Sequence, residues 1–300
     1  MQDIPKPIRV NAIPAGFQTD GPPLAQSLSA LPATAPVVIM VHGYRFAPGI
    51  ARHCPHRHIL ALDPDPADHT AISWPRHLGL SGAGGIAVGF GWQSRGILRR
   101  VHQRATAAGQ SLAALIAAIP ASHEVHVIAH SLGARVALAS LPHLPAGRVG
   151  RMVLLAGAET RGPARAAMNT PAGATAQVFN ITTRENDLFD VLLEWLAMGG
   201  CDTAIGEGLG QPLSNWLDLQ IDQTATTEAL ARLGHRLPAA RSRISHWSPY
   251  MRPGLLPMYR ALLTGELPLT TLRAALPSAR DPRWSRLVPH WPLPLRPNPA

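Results

Sequence analysis

From residue 37 to residue 183 the chain alternates two apolar patterns. VVIMV (37–41), VHVIA (125–129), RMVLLA (151–156) and AQVFNITT (176–183) are short, nearly continuous apolar runs. Such runs mark strands buried on both faces of a sheet. Between them the apolar residues recur every three or four positions. Leu112, Leu115, Ile116 and Ile119 fall at i, i+3, i+4 and i+7, which predicts a helix over Ile97–Ile119, ending before Pro120. Helices are also predicted from Leu132 to Leu141, over DLFDVLLEWLAM (187–198) and over GLLPMYRALLTG (254–265), with an Ala/Arg-rich helix-compatible segment before AQVFNITT. Strands alternating with helices require crossover connections, hence an α/β fold with a mostly parallel sheet flanked by helices.

Other segments are read from weaker patterns. PIRVNAI near the start, HILAL (58–62) and TAISW (70–74) are strand candidates. Residues 79–96 hold seven glycines and read mostly as loop, a flexible cleft wall in which Phe90 and Trp92 supply apolar surface. Residues 199–240, rich in Gly, Pro and Thr and containing NWLDLQID, break the rhythm and read as a lid-like insertion over the top edge of the sheet, before the last core helix. The expected organisation is one domain over 1–265 with this insertion at about 199–240, followed by a proline-rich extension over 266–300 that packs on the surface or is mobile.

Composition narrows the class. With 300 residues and 46% hydrophobic content the chain can bury a substantial core, and 15% charged residues exclude a disordered or coiled-coil chain. The net charge of +9 points to no partner, because Lys6 is the only lysine among 27 basic residues and the arginines are scattered. A nucleic-acid footprint would be clustered and interleaved with aromatics, so none is expected. Two cysteines, Cys54 and Cys201, make no disulfide framework. MQDIPKPIRV lacks the apolar core of a secretion signal, and no apolar run reaches the 18 residues of a membrane span. The expectation is a cytoplasmic protein without an integral membrane segment.

The chemistry concentrates in HVIAHSLGARVAL (126–138), where a buried strand stops, Ser131 follows, and a helix begins at once. A serine there can simply be an N-cap. Its neighbours say more: Ala129 and Gly133, two before and two after, fit the nucleophile elbow G-x-S-x-G with alanine in first place. A tight strand-to-helix turn needs small residues at those positions and presents the serine hydroxyl at the helix N-terminus. Upstream, the strand VVIMV ends in His42-Gly43-Tyr44, the kind of loop that supplies a second oxyanion donor. The backbone N–H groups of Tyr44 and Leu132 are the candidate donors, and His42 is read as a strand-end histidine rather than a base.

VHGYRF, ISWP (72–75) and AHSLG together resemble the α/β-hydrolase superfamily, and within it an uncharacterised bacterial serine-hydrolase group with HGYN, FSWP-like and AHSMG motifs. The resemblance covers about residues 37–190. It implies an α/β-hydrolase fold and hydrolysis of carboxylic esters. Arg45 stands where the group has Asn after HGY. The superfamily's chain order is Ser, acid, His. Asp187 in VFNITTREND is the expected acid, with Glu185 and Asp190 as competitors, Asp190 being one helical turn on, where it can face solvent. His246 in RISHWSPYMRPG is the expected base, with His235 and His290 as competitors.

Three motifs mean less. Gly82-x-Gly84-x-x-Ala87 is a partial dinucleotide fingerprint without its strand or its acidic ribose partner. His53, Cys54, His56 and His58 have metal-like spacing but no second cluster, and HEVH (123–126) is not the helical H-E-x-x-H. Trp195, Trp216 and Trp247 read as core or lid anchors. The expectation is therefore an esterase- or lipase-like enzyme using Ser131, His246 and Asp187 on a small-molecule acyl ester, without cofactor or metal. The rivals are a thioesterase or acyltransferase using the same triad, and a non-catalytic hydrolase-like binding protein.

Overall fold

The continuous β-branched and aliphatic runs become the centre of an eight-stranded sheet in the computed structural model, which describes residues 6–288 apart from 15, 30–34, 67, 69 and 81–84. The strands are β1 (Ile8–Ile13), β2 (Gly16–Thr19), β3 (Val37–Val41), β4 (Ile86–Gly91), β5 (Val125–His130), β6 (Arg151–Leu155), β7 (Gln177–Thr182) and β8 (Trp216–Gln220). Their order across the sheet is β2-β1-β4-β3-β5-β6-β7-β8, and every pairing is parallel except the β1–β2 hairpin at one edge. With helices on both faces this is the α/β-hydrolase arrangement.

Two hydrophobic clusters sandwich the sheet, as the period of two in a strand requires. Val37, Ile39 and Val41 of β3 face one cluster, shared with helices Leu98–Ala118 and Leu132–Ser140. Val38 and Met40 face the other, shared with Trp74 and helix Leu255–Thr264. Complete burial of such a side chain is worth about 1.5–3 kcal/mol, so the doubly buried central strands hold the sheet rigid. Among the described residues no helix is long and apolar enough to cross a membrane.

Several expectations need correction. Residues 58–62 and 70–74 are not strands: turns follow the short 3-10 helix Pro55–Arg57, and Ser73 caps a short helix, Trp74–His77, by accepting a hydrogen bond from Arg76 N. Ile59, Leu60 and Trp74 are buried against the face of the sheet, in one cluster with Val38 and Met40, rather than in a strand, so their apolar run misleads. Conversely, the glycine-rich 79–96 segment contains β4, entirely buried between β1 and β3. Its glycines permit close packing. A Cβ at Gly89 would come within 3.2 Å of the His56 ring, and one at Gly91 within 2.5 Å of Asn11 Oδ1. Phe90 and Trp92 are core residues, not a flexible wall. Gly82 and Gly84 lie outside the described residues, while Ala87 sits in β4.

The 199–240 segment also differs from a lid laid over the sheet. It supplies β8, registered on β7 from Trp216 opposite Val178, and then helix Thr224–Arg232. The proline-rich extension contributes helix Leu269–Ala275, whose Leu269 and Leu272 join the second cluster. Beyond it the chain is clamped onto helix Asp187–Met198. Arg283 donates to both carboxylate oxygens of Glu194 at 2.8 and 3.0 Å.

Candidate active site

β5 carries His130 to the C-terminal edge of the sheet, and the chain then turns sharply into helix Leu132–Ser140. Ser131 makes the turn with φ 56° and ψ −127°, a strained conformation for a non-glycine residue. Its backbone is held from both sides. Ser131 N donates to Leu155 O at 3.0 Å, and Ser131 O accepts from Ala134 N and Ala158 N, each at 2.9 Å. The two glycines of the motifs have no room for a side chain. A Cβ at Gly133 would lie 2.6 Å from Val41 O, and one at Gly43 would lie 2.7 Å from Ser131 Cβ. The end of β3 is thus pressed against the elbow, which sets Tyr44 beside Ser131 in one cavity.

His42 holds that contact from below. Trp92 N donates to His42 Nε2 at 3.0 Å, so the ring proton sits on Nδ1 and bonds Gly43 O at 2.9 Å. Burial keeps this ring neutral, with its pKa lowered to about 3. Arg45 and Phe46 N–H groups are taken by Ser94 O at 3.0 Å and Ser94 Oγ at 2.9 Å. Arg45 has φ 79°, a left-handed conformation that Asn tolerates better than Arg, a physical reason for Asn at this place in HGYN.

His246 Nε2 lies 2.8 Å from Ser131 Oγ. The loop that carries it has no regular structure, yet it is bound from several directions. Glu185 accepts from Ser242 N through Oε1 at 3.1 Å and from Ser245 N through its carbonyl at 2.8 Å. Arg286 donates to Ala240 O and Ser242 O at 2.9 and 2.8 Å, and His130 Nε2 donates to His246 O at 2.9 Å. The His246 ring lies between Phe189, stacked at a centroid distance of 4.6 Å, and His130 at 4.7 Å.

The side chain that meets His246 Nδ1 is Asn186 rather than Asp187. His246 Nδ1 meets Asn186 Oδ1 at 2.6 Å, while Asp187 turns away. Asp187 pairs with Arg184 at 3.2 Å and accepts from Trp284 N at 2.6 Å, so it anchors the C-terminal segment instead. Its pKa is raised by burial against the opposing pull of Arg184. Asp190, which can face solvent on sequence grounds, is buried and accepts from Asn186 Nδ2 at 2.9 Å. That bond fixes the amide. With Nδ2 committed to Asp190, Asn186 turns its oxygen to His246, which fixes the imidazole proton on Nδ1 and leaves Nε2 free to accept from Ser131. Burial raises Asp190 to about 8, opposed by Arg184 and Arg283. Gly206 provides the space, since a Cβ there would collide with Asp190 Oδ2 at 2.0 Å.

His246 is kept well below the ordinary imidazole pKa of 6.5 by burial first and then by the repulsion that a protonated His130 would exert. His130, lowered to about 4 by burial, is itself neutral near pH 7. Residue 246 is therefore an unprotonated base across the neutral range. His235 lies after helix Thr224–Arg232 and is absent from the cavity wall, and His290 lies outside the described residues.

The cavity above Ser131 encloses about 540 Å³. A larger cleft of about 1010 Å³ beside β1 and β4 includes none of Ser131, His246, Asn186 and Asp190. The histidines of the 53–58 cluster go to separate partners, His56 to Asn11 Oδ1 at 2.9 Å and His58 to Asp68 Oδ2 at 3.0 Å. Both cysteines are free thiols, and the described residues contain no group of three or more metal-ligating side chains.

The spacing of Asn186 and Asp190 is the sequence signal for their contact. Asn186 and Asp190 are four residues apart and so share one helix face, whereas Asp187 does not share the Asn186 direction. No protein-family model matches the chain, and no curated protein does. Among solved structures, that of a metagenomic carboxyl esterase is 15% identical over 79% of this chain and 78% of its own, with a TM-score of 0.35, a likeness too distant to bear on function.

Proposed function

We propose that the protein is a serine hydrolase acting on carboxylic esters, with Ser131 as nucleophile, His246 as general base and acid, and Asn186 in the orienting place. The observation that carries the reading is the Ser131 Oγ to His246 Nε2 contact of 2.8 Å at a strained elbow. Ser131 Oγ attacks the ester carbonyl carbon and its proton passes to His246 Nε2. The oxyanion forms beside the Tyr44 and Leu132 N–H groups at the helix N-terminus. Collapse expels the alcohol, which takes the proton from His246, and leaves an acyl group on Ser131. Water, deprotonated by His246, then releases the acid and restores the serine. Thioester cleavage and acyl transfer would use the same steps with a different leaving group or acceptor.

A fluorophosphonate probe tests the reading directly. Labelling confined to Ser131, located by peptide mass, is the expected result. Folded protein that resists the probe would favour a non-catalytic binding role.

The base carries its own prediction. Because His246 is depressed, it stays neutral and competent as pH falls through 6.5, and activity is lost only below that. The acidic limb of kcat/KM, which reports the free enzyme, should therefore lie below 6.5. A limb centred at or above that value would contradict the buried, unsupported imidazole.

A further inference from the structure

The cavity has two chemically different walls, and the sheet order places them on opposite sides of Ser131. Ser131 stands at the end of β5, whose neighbours are β3 on one side and β6 then β7 on the other. Adjacent strands are about 4.8 Å apart, so groups following β3 and groups following β7 face each other across the nucleophile. The β7 side is mostly hydrocarbon beyond Asn186 and Asp190, which sit at His246. Phe189, Leu192, Leu193 and Leu196 of helix Asp187–Met198 line it, and Leu192 and Leu196 remain 41% and 56% exposed.

The β3 side is cationic. Arg45, in the oxyanion loop, and Arg52, in the short helix Ala51–His53, both line the cavity and are exposed. Among the described residues neither forms an ion pair with an acidic side chain, in contrast to Arg135, Arg184 and Arg283, which do. Arg95 adds to the same field, for His53 is held below its ordinary pKa by desolvation first and then by Arg95, Arg52 and Arg45. One acid shares this wall. Asp68, hydrogen-bonded to Thr70 at 2.7 Å and to His58 at 3.0 Å, stays ionised and offsets one of these positive charges, which leaves the wall net cationic. Guanidinium groups left without a partner at a cavity edge are suited to a carboxylate or phosphate, which they can grip through paired N–H donors.

We infer that the substrate is an ester carrying an anionic group, seated between Arg45 and Arg52, with its hydrocarbon portion against helix Asp187–Met198. The inference rests on the ester-hydrolase reading. It explains why an apolar pocket opens beside uncompensated charge. A purely apolar ester would leave these arginines unused, whereas an anionic one would be steered into the cleft and oriented across the serine.

Matched substrate pairs test this and also locate the anion. In one pair, mono-p-nitrophenyl glutarate is compared with p-nitrophenyl pentanoate, which places the charge on the acyl side. In a second, 4-(butanoyloxy)benzoate is compared with its methyl ester, and 4-(butanoyloxy)phenyl phosphate extends that arm from carboxylate to phosphate. The anionic member of at least one pair should have the higher kcat/KM, by about tenfold or more, a preference that shrinks as salt is raised. Arg52→Gln should reduce the anionic-to-neutral ratio, and Arg52→Glu should invert it. Arg52 sits on an exposed short helix, so either variant is readily folded, and Arg45→Gln adds a check from the other side of the cluster. Equal rates within every pair, or a preference that survives Arg52→Glu, would overturn the inference while leaving ester hydrolysis intact. Failure to cleave any of these esters would instead count against the ester-hydrolase reading itself.

Discussion

Ser131→Ala is expected to lower kcat on p-nitrophenyl esters by about 10⁴- to 10⁶-fold, the range seen when the nucleophile of a serine hydrolase is removed. The size follows from the loss of the covalent path. Without Oγ the reaction has only whatever the Tyr44 and Leu132 N–H groups and the cavity contribute to attack by water. The variant also isolates chemistry from folding. Residue 131 already has φ 56°, and alanine bears the same backbone strain as serine. Only the bond to His246 Nε2 is removed. Melting temperature should therefore stay within a few degrees of the parent while turnover disappears. His246→Ala should lose turnover comparably, and His235→Ala should not, because His235 is remote from the cavity wall. Retained ester hydrolysis in Ser131→Ala would remove Ser131 from the nucleophile's role.

The elbow at Ser131 was readable in the sequence because its constraints are local and steric. Gly43 and Gly133 are glycines since the Ser131 Cβ and the Val41 carbonyl, respectively, lie where a Cβ would go, and such positions leave a fixed spacing around Ser131. The central strands were readable for a similar reason, since burial on both faces admits only apolar side chains. β4 was hidden by the opposite effect. Its glycines accommodate His56 and Leu60 packed across the strand, a long-range contact that looks like a loop in the one-dimensional pattern. HILAL and TAISW misled because turns packed onto the face of the sheet leave the same apolar run as a strand within it. Which side chain meets His246 depended on finer geometry. The turn Arg184–Asn186 precedes helix Asp187–Met198, and its direction decides which of two adjacent side chains enters the cavity. That direction is set by Arg184, buried against Asp187 and Glu207, and by Trp284 from a segment 97 residues away.

The second large effect is expected at Asn186. Asn186→Leu keeps the branched outline of the side chain but removes the acceptor for His246 Nδ1–H. The imidazole is then free to adopt the other tautomer, in which Nε2 carries the proton and cannot accept one from Ser131. Loss of the correct tautomer costs serine hydrolases up to about 10⁴-fold in kcat, and a decrease of about 10³-fold is expected here. Asp187→Asn gives the decisive contrast. It leaves Ser131, His246 and Asn186 in contact, so kcat should change little. It removes one of the two carboxylates that face buried Arg184 and leaves Glu207 in place, so the melting temperature should fall modestly. A collapse of kcat in Asp187→Asn without loss of stability would restore the aspartate to the orienting role. Asn186→Asp separates the electronic from the geometric contribution. A carboxylate beside His246 favours imidazolium, so the acidic limb of kcat/KM should move to higher pH. Asp190, buried one turn away, would then face a second carboxylate, and the pair should hold a proton between them near neutrality. Asp190→Leu completes the set. It frees Nδ2 of Asn186, lets the amide turn over, and should cost about ten- to a hundredfold in kcat by the same loss of tautomer control. Full activity in that variant would show that the amide is held by something other than Asp190.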